Sequence, residues 1–228
     1  ARTVNCPLDR LGWTSMQLAE IMRTNGTCRY YTTAPVDDTV LARVLDCARW
    51  APSGGNRQPL RFVAVRDQEK KRRLKDLYLP LWNDFLAAIN AGAKHYEARP
   101  KLLVDADHFA HHLDQVPVML VVCARLADVQ PTDVALDRLS VVGGASIYPA
   151  VQNVLLAARA EGLGSALTTL LCAAEPEVKT LLGIPDDIAT AAMVTIGWPA
   201  RAFVRRLNRR PLTEFAFTDT YGDGALGA

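Results

Sequence analysis

The sequence predicts a chain of α+β or α/β class: a mixed central sheet with helices packed on both faces. Three observations predict it. Four short apolar runs, 60–65, 116–123, 164–170 and 189–196, are separated by segments of helical period. Half of the 228 residues are hydrophobic and 22% are charged, enough for a sizeable core. No linker, repeat or low-complexity stretch divides the chain, so 1–228 reads as a single domain. Residues 1–14 read as an N-terminal extension and 198–228 as a C-terminal arm.

The elements follow in order. Ser15 is placed to cap a first helix with Leu18, Ile21 and Met22 on one face, ending near Asn25–Gly26. TCRYYTTAPV reads as extended. Asp37 or Asp38 opens a second helix, in which Val40, Leu41, Val44, Leu45 and Ala48 keep the helical period. After Leu60–Val65 comes the charged segment DQEKKRRLKDLY, a helix whose basic run reads as a solvated face. Two more helices are expected over Leu81–Lys94 and Lys101–Leu113, flanking a mobile link around Gly92 and Pro100. Val116–Cys123 reads as a buried strand. A long helical pattern covers Leu139–Ala160, with Pro149 expected to kink it and Gly162 to end it. Gly164–Leu170 is a strand, Glu175–Leu182 a short helix stopped by Gly183, and Ala189–Ile196 a last strand.

Composition excludes several classes. A net charge of +2 offers no footprint for nucleic acid or an acidic membrane surface. The longest apolar run, Val116–Ala124, is interrupted by Pro117 and is too short to span a bilayer. The stretch ARTVNCPLDRLGW lacks the apolar core of a signal peptide. Cys6, Cys28, Cys47, Cys123 and Cys172 form an odd set without CxxC, which fits reduced thiols in the cytoplasm.

Four stretches are candidates for chemistry. In APSGGNRQPLRFVAV (Ala51–Val65), Gly54 and Gly55 allow backbone N–H groups to approach a ligand, and Asn56 and Gln58 carry amides suited to a heteroaromatic edge. An ordinary polar loop has the same composition. Thr27 and Arg29 set a hydroxyl and a guanidinium two residues apart, as a phosphate requires and as a surface turn also provides. Arg205, Arg206, Arg209 and Arg210 crowd the tail, either for a phosphate or as basic surface. Thr168 and Thr169 end a strand where they offer a hydroxyl and an N–H, though threonine is also simply a good strand residue. His108 and His112 lie four apart on one helical face, but no further His cluster completes a metal site, and a pocket wall or solvent face is the better reading. No nucleophile–base order is present.

Taken together these stretches resemble the nitroreductase family of FMN-dependent NAD(P)H oxidoreductases, from about Leu18 to Phe217. GTCRYYTTAPV resembles its N-terminal R-S-x-R…P-V pattern. APSGGNRQPLRFVAV matches A-P-S-x-x-N-x-Q-P-W-x-F-x-V with Leu60 in place of Trp. AVQNVLLAARAEGLGSALTTL resembles the family's long helix, glycine turn and flavin-edge strand. VTIGWPA and LNRRPLTEF resemble its closing strand and C-terminal arginine. Asn25 and Gly26 stand where the family has a further arginine.

The resemblance implies an α+β fold in a domain-intertwined homodimer, with FMN in each of two interface clefts. It implies that Thr27, Arg29 and Arg209 hold the FMN phosphate. Ser53, Gly54, Asn56 and Gln58 would line the ribityl chain and ring, and Thr168, Thr169 and Leu170 the N5 side. The dimer is expected to centre on a Ser140–Arg159 helix, where Gly143, Gly144, Ala145 and Ser146 allow close approach. NADH or NADPH would supply hydride to flavin N5, and a nitroaromatic, quinone or similar small molecule would accept the electrons. No side chain is then indispensable for catalysis, and no metal is required, because the flavin carries the chemistry. Charge on the reduced flavin would be met by Arg57 or a glycine-loop N–H. His112 is the expected substrate-channel residue. The alternatives are an oxidase or dehydrogenase, a dehalogenase, a flavin-fragmenting enzyme, or a non-enzymatic FMN-storing or flavin-sensing relative.

Overall fold

The structure is a computed structural model that describes residues 17–92 and 100–226. Ser15 and most of the link between Gly92 and Pro100 lie outside the described residues. The elements run α1 (Leu18–Thr24), α2 (Asp38–Ala48), β1 (Leu60–Val65), α3 (Gln68–Asn90), α4 (Pro100–His111), β2 (Val118–Arg125), α5 (Tyr148–Ala160), β3 (Gly164–Thr168), α6 (Glu175–Leu182) and β4 (Ile188–Gly197). No described helix is long and apolar enough to cross a membrane.

The strands form one sheet in the order β1-β2-β4-β3. The expected mixed sheet has an α+β architecture, but its four strands pair antiparallel throughout. Among the described residues its parallel pairing is a single bridge, Thr27 to Ser165. Both faces are buried, which is why β2 is apolar at every position from Val118 to Ala124. Alternate residues serve alternate faces. Val118, Leu120, Val122 and Ala124 pack with α2 and α5, joined by Val194 and Ile196 of β4. Met119, Val121, Cys123 and Met193 meet Leu74, Tyr78 and Trp82 of α3, Phe109 of α4 and Val178 of α6. A fully buried side chain such as Leu120 contributes about 1.5–3 kcal/mol.

Three local expectations are corrected. First, α3 does not divide near Leu81 but runs unbroken through Pro80. The proline removes the donor to the Asp76 carbonyl, but both residues are exposed, so water can replace it. On the opposite side Leu74, Tyr78 and Trp82 fall at intervals of one turn and hold the helix to the sheet. Second, the basic run is not wholly solvated. Lys71 is buried and its Nζ donates to the Val116 carbonyl at 2.9 Å. Burial pushes its pKa down, against the pull of Asp114 and Asp67.

Third, the helix expected from Leu139 begins at Tyr148. Pro149 therefore lies in the first turn, where a missing N–H costs nothing, and it starts the helix rather than kinking it. The residues before it are folded around the Asp133 carboxylate. That group accepts from Ser140 Oγ at 2.7 Å, Arg138 Nη1 at 2.7 Å and the Val141 N–H at 3.0 Å. These bonds compete successfully with a helix that would have to include Gly143 and Gly144. A Cβ on Gly144 would strike the Tyr148 ring, so the turn needs glycine there.

Two glycines position the segment that carries Thr27 and Arg29. Gly164 and Gly197 face each other across β3 and β4. A Cβ on Gly164 would meet Cys28 Sγ at 2.5 Å, and one on Gly197 would meet Pro117 Cδ at 2.6 Å and Tyr31 Cδ1 at 3.0 Å. Their bareness lets the 27–31 strip lie against the sheet edge. Cys28 N–H donates to the Ser165 carbonyl at 2.8 Å. Tyr31 Oη bonds the Cys28 carbonyl at 3.0 Å and Thr195 Oγ1 at 2.8 Å.

Candidate active site

The glycine loop leaves α2 and enters β1 through a tight 3₁₀ turn. Gly55, Asn56 and Gln58 all have positive φ, at 58°, 54° and 50°. Asparagine tolerates this region, but glutamine rarely does, so the loop stores strain at Gln58. Three hydrogen bonds hold it. Ser53 Oγ accepts the Gln58 N–H at 3.1 Å, Ser146 Oγ accepts the Gly54 N–H at 3.0 Å, and Gln58 Nε2 donates to the Asn56 carbonyl at 3.3 Å. Ser53 and Gln58 border a hollow of about 250 Å³ closed by Leu45, Phe62 and Ala150. With the Gln130 amide oxygen turned toward it, Arg57 donates to that oxygen from Nη1 at 2.9 Å and Nη2 at 3.1 Å. The cation beside the loop is thereby fixed in place.

Thr27 and Arg29 form the wall between two other hollows. The first, about 150 Å³, is lined by Tyr78, Trp82, Phe85, Phe109 and Leu102, with Thr168 at its rim. Thr168 Oγ1 is shared between Tyr78 Oη at 3.4 Å and the Leu170 N–H at 3.3 Å. Thr169 precedes the 3₁₀ turn Leu170–Ala174, and the Leu170 side chain packs against the core beneath the sheet. The second hollow, about 290 Å³, is lined by Arg29, Tyr30, Lys101, Asp105 and Arg201. Arg29 makes no ion pair among the described residues.

Arg209 lies elsewhere. It borders a wide hollow of about 950 Å³ with Arg23, Asn25, Arg206, Arg210 and Gln152. The tail is fixed there by the Leu207 N–H, which donates to the Arg23 carbonyl at 2.8 Å. The expected grouping of Thr27, Arg29 and Arg209 is thus divided between neighbouring hollows, on either side of the contact that Gly26 makes with Val204. Arg23 stands with Arg209 rather than with Arg29.

The larger separation is between the glycine loop and the Thr27–Arg29 strip. The loop leads into Leu60, at the outer edge of β1, and Thr27 is bridged to Ser165 on β3, at the other edge. Leu60 is aligned with Ala124 and Ala189, and Ser165 with Ile196, so they also lie at opposite ends of the strands. Strand spacing and rise put the two corners roughly 25 Å apart. Within one chain they do not form one site.

Sequence reading missed a stack that joins the arm to α4. The Arg201 guanidinium lies 3.2 Å from the Tyr30 ring centroid, Tyr30 stacks on His108 at 4.3 Å, and His108 on His112 at 4.0 Å. Tyr30 Oη donates to Asp105 Oδ1 at 2.7 Å, and Arg201 Nη1 approaches the same oxygen at 3.4 Å. The Tyr30 hydrogen bond, aided by Arg201 and Lys101, holds the Asp105 carboxyl below the usual range. That same bond raises the Tyr30 phenol. Burial, followed by the nearby His112 and Arg201, lowers His108. The i, i+4 histidine spacing therefore serves ring stacking. His112 Nδ1 bonds the His108 carbonyl at 2.7 Å, which can only accept, so Nδ1 carries a proton. The signal for this stack was present in Tyr30 beside Arg29 and Asp105 beside His108, but only the fold brings Arg201 to them.

Comparison with known proteins agrees with the geometry. The family model described as "Nitroreductase family" matches residues 23–198. An NADH dehydrogenase of Thermus thermophilus is 33% identical over 182 residues, covering 75% of this chain and 82% of that protein. A 5,6-dimethylbenzimidazole synthase of Rhodospirillum rubrum is 31% identical over 172 residues, covering 75% and 76%. Among solved structures, the NADPH:FMN oxidoreductase of Vibrio harveyi complexed with NAD+ superposes with a TM-score of 0.64 at 19% identity, over 90% of this chain and 78% of that one. With the match extending from Arg23, at the end of α1, to Trp198, just beyond β4, the chain belongs to the nitroreductase family.

Proposed function

We propose that this chain is an FMN-dependent oxidoreductase that takes hydride from NADH or NADPH and reduces a small-molecule acceptor such as a nitroaromatic or quinone. The family match supports the reaction class. The observation that carries the cofactor is the arginine-lined hollow beside the Thr27–Arg29 wall. Arg23, Arg206, Arg209 and Arg210 border it, and the ion pair of Arg210 with Glu214 is loose at 3.8 Å. That donor set fits a phosphate dianion. The aromatic-walled hollow that shares the Thr27–Arg29 wall fits a planar acceptor beside the flavin ring.

In this reading Arg23 and Arg209 hold the phosphate, and Thr27 and Arg29 hold the ribityl chain and the near ring edge. Thr168, Thr169 and Leu170 border the N5 side. Bound FMN supplies the two-electron hydride chemistry. Tyr78, Trp82 and Phe109 exclude water from the apolar wall. The Ser53–Gln58 loop reaches the site from a second copy of the chain, because in its own chain it stands at the opposite corner of the sheet. The Ser53 and Ser146 hydrogen bonds hold Asn56 and Gln58 in this strained conformation before any ligand arrives. Arg57, held by Gln130, offers a fixed cation to negative charge accumulating on the ring. Apolar residues on the segments flanking the loop support the pairing of two copies: Trp50 is 70% and Leu139 88% exposed in the single chain. The Gly143–Ser146 run contributes through Ser146, which anchors Gly54, rather than as a helix face.

The visible spectrum of the purified protein tests this reading. A yellow protein whose absorbance near the flavin maximum bleaches when NADH or NADPH is added without oxygen is expected. A colourless protein that takes up no added FMN overturns it. The likeness to the dimethylbenzimidazole synthase favours one second reading, a flavin-consuming reaction. Steady NAD(P)H oxidation with intact flavin would exclude that alternative, and bound flavin inert to NAD(P)H would favour a storage or sensing role.

A further inference from the structure

The hollow beside Tyr30 carries more positive charge than the fold needs. Among the described residues Arg29, Lys101 and Arg201 line it, against the single carboxylate of Asp105. One oxygen of that carboxylate is already engaged by the Tyr30 hydroxyl at 2.7 Å and by Arg201 at 3.4 Å. Neither Arg29 nor Lys101 has an ion pair among the described residues. Arg201 is also held in position, since its plane lies on the Tyr30 ring, which rests in turn on His108. Three cations gathered at a concave surface repel one another and focus a positive potential there. Sharing the Thr27–Arg29 wall is the aromatic hollow of Tyr78, Trp82, Phe85 and Phe109. An apolar, flat-walled recess and a cationic recess therefore meet at one edge.

The geometry points to an acceptor that is an aromatic carboxylate, its ring seated toward the aromatic recess and its carboxylate toward Lys101 and Arg201. This rests on the flavin-dependent reading and names the substrate class of that same site. A neutral nitroaromatic or quinone would fill the first recess and leave the cations of the second without a counter-charge.

The test compares 4-nitrobenzoate with its uncharged methyl ester. Each nitro group takes one hydride from NADPH and one proton from solvent, loses water and becomes the nitroso group, while NADPH becomes NADP+. The expected result is a higher kcat/KM for the acid, falling as salt is raised. In the double variant Lys101→Ala/Arg201→Ala the acid-to-ester ratio should drop about tenfold, the sum of two exposed charge contacts. Calorimetry with benzoate on the protein as purified reads recognition without turnover, and its binding should weaken by a similar factor in the double variant. Equal kcat/KM for acid and ester, or a ratio and benzoate affinity that the double variant leaves unchanged, would overturn the inference. Bleaching of the wild-type flavin by NADPH is read separately. If it fails, the redox reading falls, while the benzoate titration still decides for or against the carboxylate.

Discussion

Replacing Arg209 with alanine should weaken FMN binding and leave riboflavin binding unaltered. Arg209 is exposed and lines the hollow that also holds Arg23 and Arg206. Its Nη1 donates a hydrogen bond to the carbonyl of the adjacent Asn208 at 2.8 Å. The tail is anchored instead by the Leu207 N–H on the Arg23 carbonyl, so folding should survive the change. A hydrogen bond to a charged group is worth about 1.5–3 kcal/mol, and solvent exposure places this one at the lower end, about tenfold in affinity. Arg205 does not border the hollow, so Arg205→Ala is the matched control for lost positive charge. Quenching of flavin fluorescence measures both affinities. Riboflavin lacks the phosphate, so its Kd reports any general damage to the ring site. Equal losses of FMN affinity in both variants, or an equal loss for riboflavin in Arg209→Ala, would refute the assignment.

The protein is expected to be a homodimer, and light scattering at micromolar concentration should give twice the chain mass of 24.9 kDa; the monomer mass with flavin bound would remove the second copy's loop from the site. Gly197→Ala forces a Cβ to 2.6 Å from Pro117 Cδ and 3.0 Å from Tyr31 Cδ1. Such overpacking costs about 1–3 kcal/mol, and thermal melting should show a Tm several degrees lower. Gln58→Gly relieves a left-handed conformation while keeping the N–H that Ser53 accepts, so Tm should rise by the equivalent of about 1 kcal/mol. A fall in Tm there would show that the Gln58 amide contact to Asn56 outweighs the strain. His112→Ala removes the outer ring of the stack on Tyr30, and should change the KM or preference for acceptors while stopped-flow flavin reduction stays within about tenfold. A loss of several orders of magnitude with FMN still bound would show that a side chain does essential chemistry.

Local signals were enough where one interaction decides an element. Glu175–Leu182 was read to its observed limits because Pro176 suits its first turn and Gly183 its left-handed stop. Leu60–Val65 was equally plain, bounded by Pro59 and the acidic start of α3. The sequence misled where a distant or buried partner decides. The sequence predicts a new helix from Leu81, but three apolar residues one turn apart hold α3 unbroken against the sheet. Leu139–Ile147 has helical period, but Asp133 takes its backbone and hydroxyl donors first. Helices between strands suggested partly parallel order, yet order β1-β2-β4-β3 makes every strand pair antiparallel.

The candidate site shows the same division. Each of its pieces could be picked out locally, because glycine, amide and arginine residues signal close approach and anion contact wherever they stand. Their mutual placement could not, since it depends on which edge each strand occupies. That is why the sequence grouped Arg209 with Thr27 and Arg29, and why it could not tell that the Ser53–Gln58 loop lies across the sheet from them.

The residue at 26 ties these points together. A family arginine is expected at 25 or 26, and Asn25 and Gly26 occupy the place. The structure gives a reason for the glycine: a Cβ there would come to 3.1 Å of Val204 Cγ2 and 3.6 Å of Leu207 Cδ2, where the arm crosses the end of α1. A longer side chain would lift the arm, and with it the Leu207 hydrogen bond that fixes the following arginines. Close approach of the arm and an arginine at 26 are therefore alternatives. Packing the arm down brings Arg206, Arg209 and Arg210 to the hollow, where Arg23, one turn back on α1, already stands. In the proposed reading, the positive charge missing at 25–26 would be supplied by neighbours that the glycine allows to approach. On this account Gly26→Arg would not strengthen phosphate binding but weaken it, because the arm and its arginines would be displaced together.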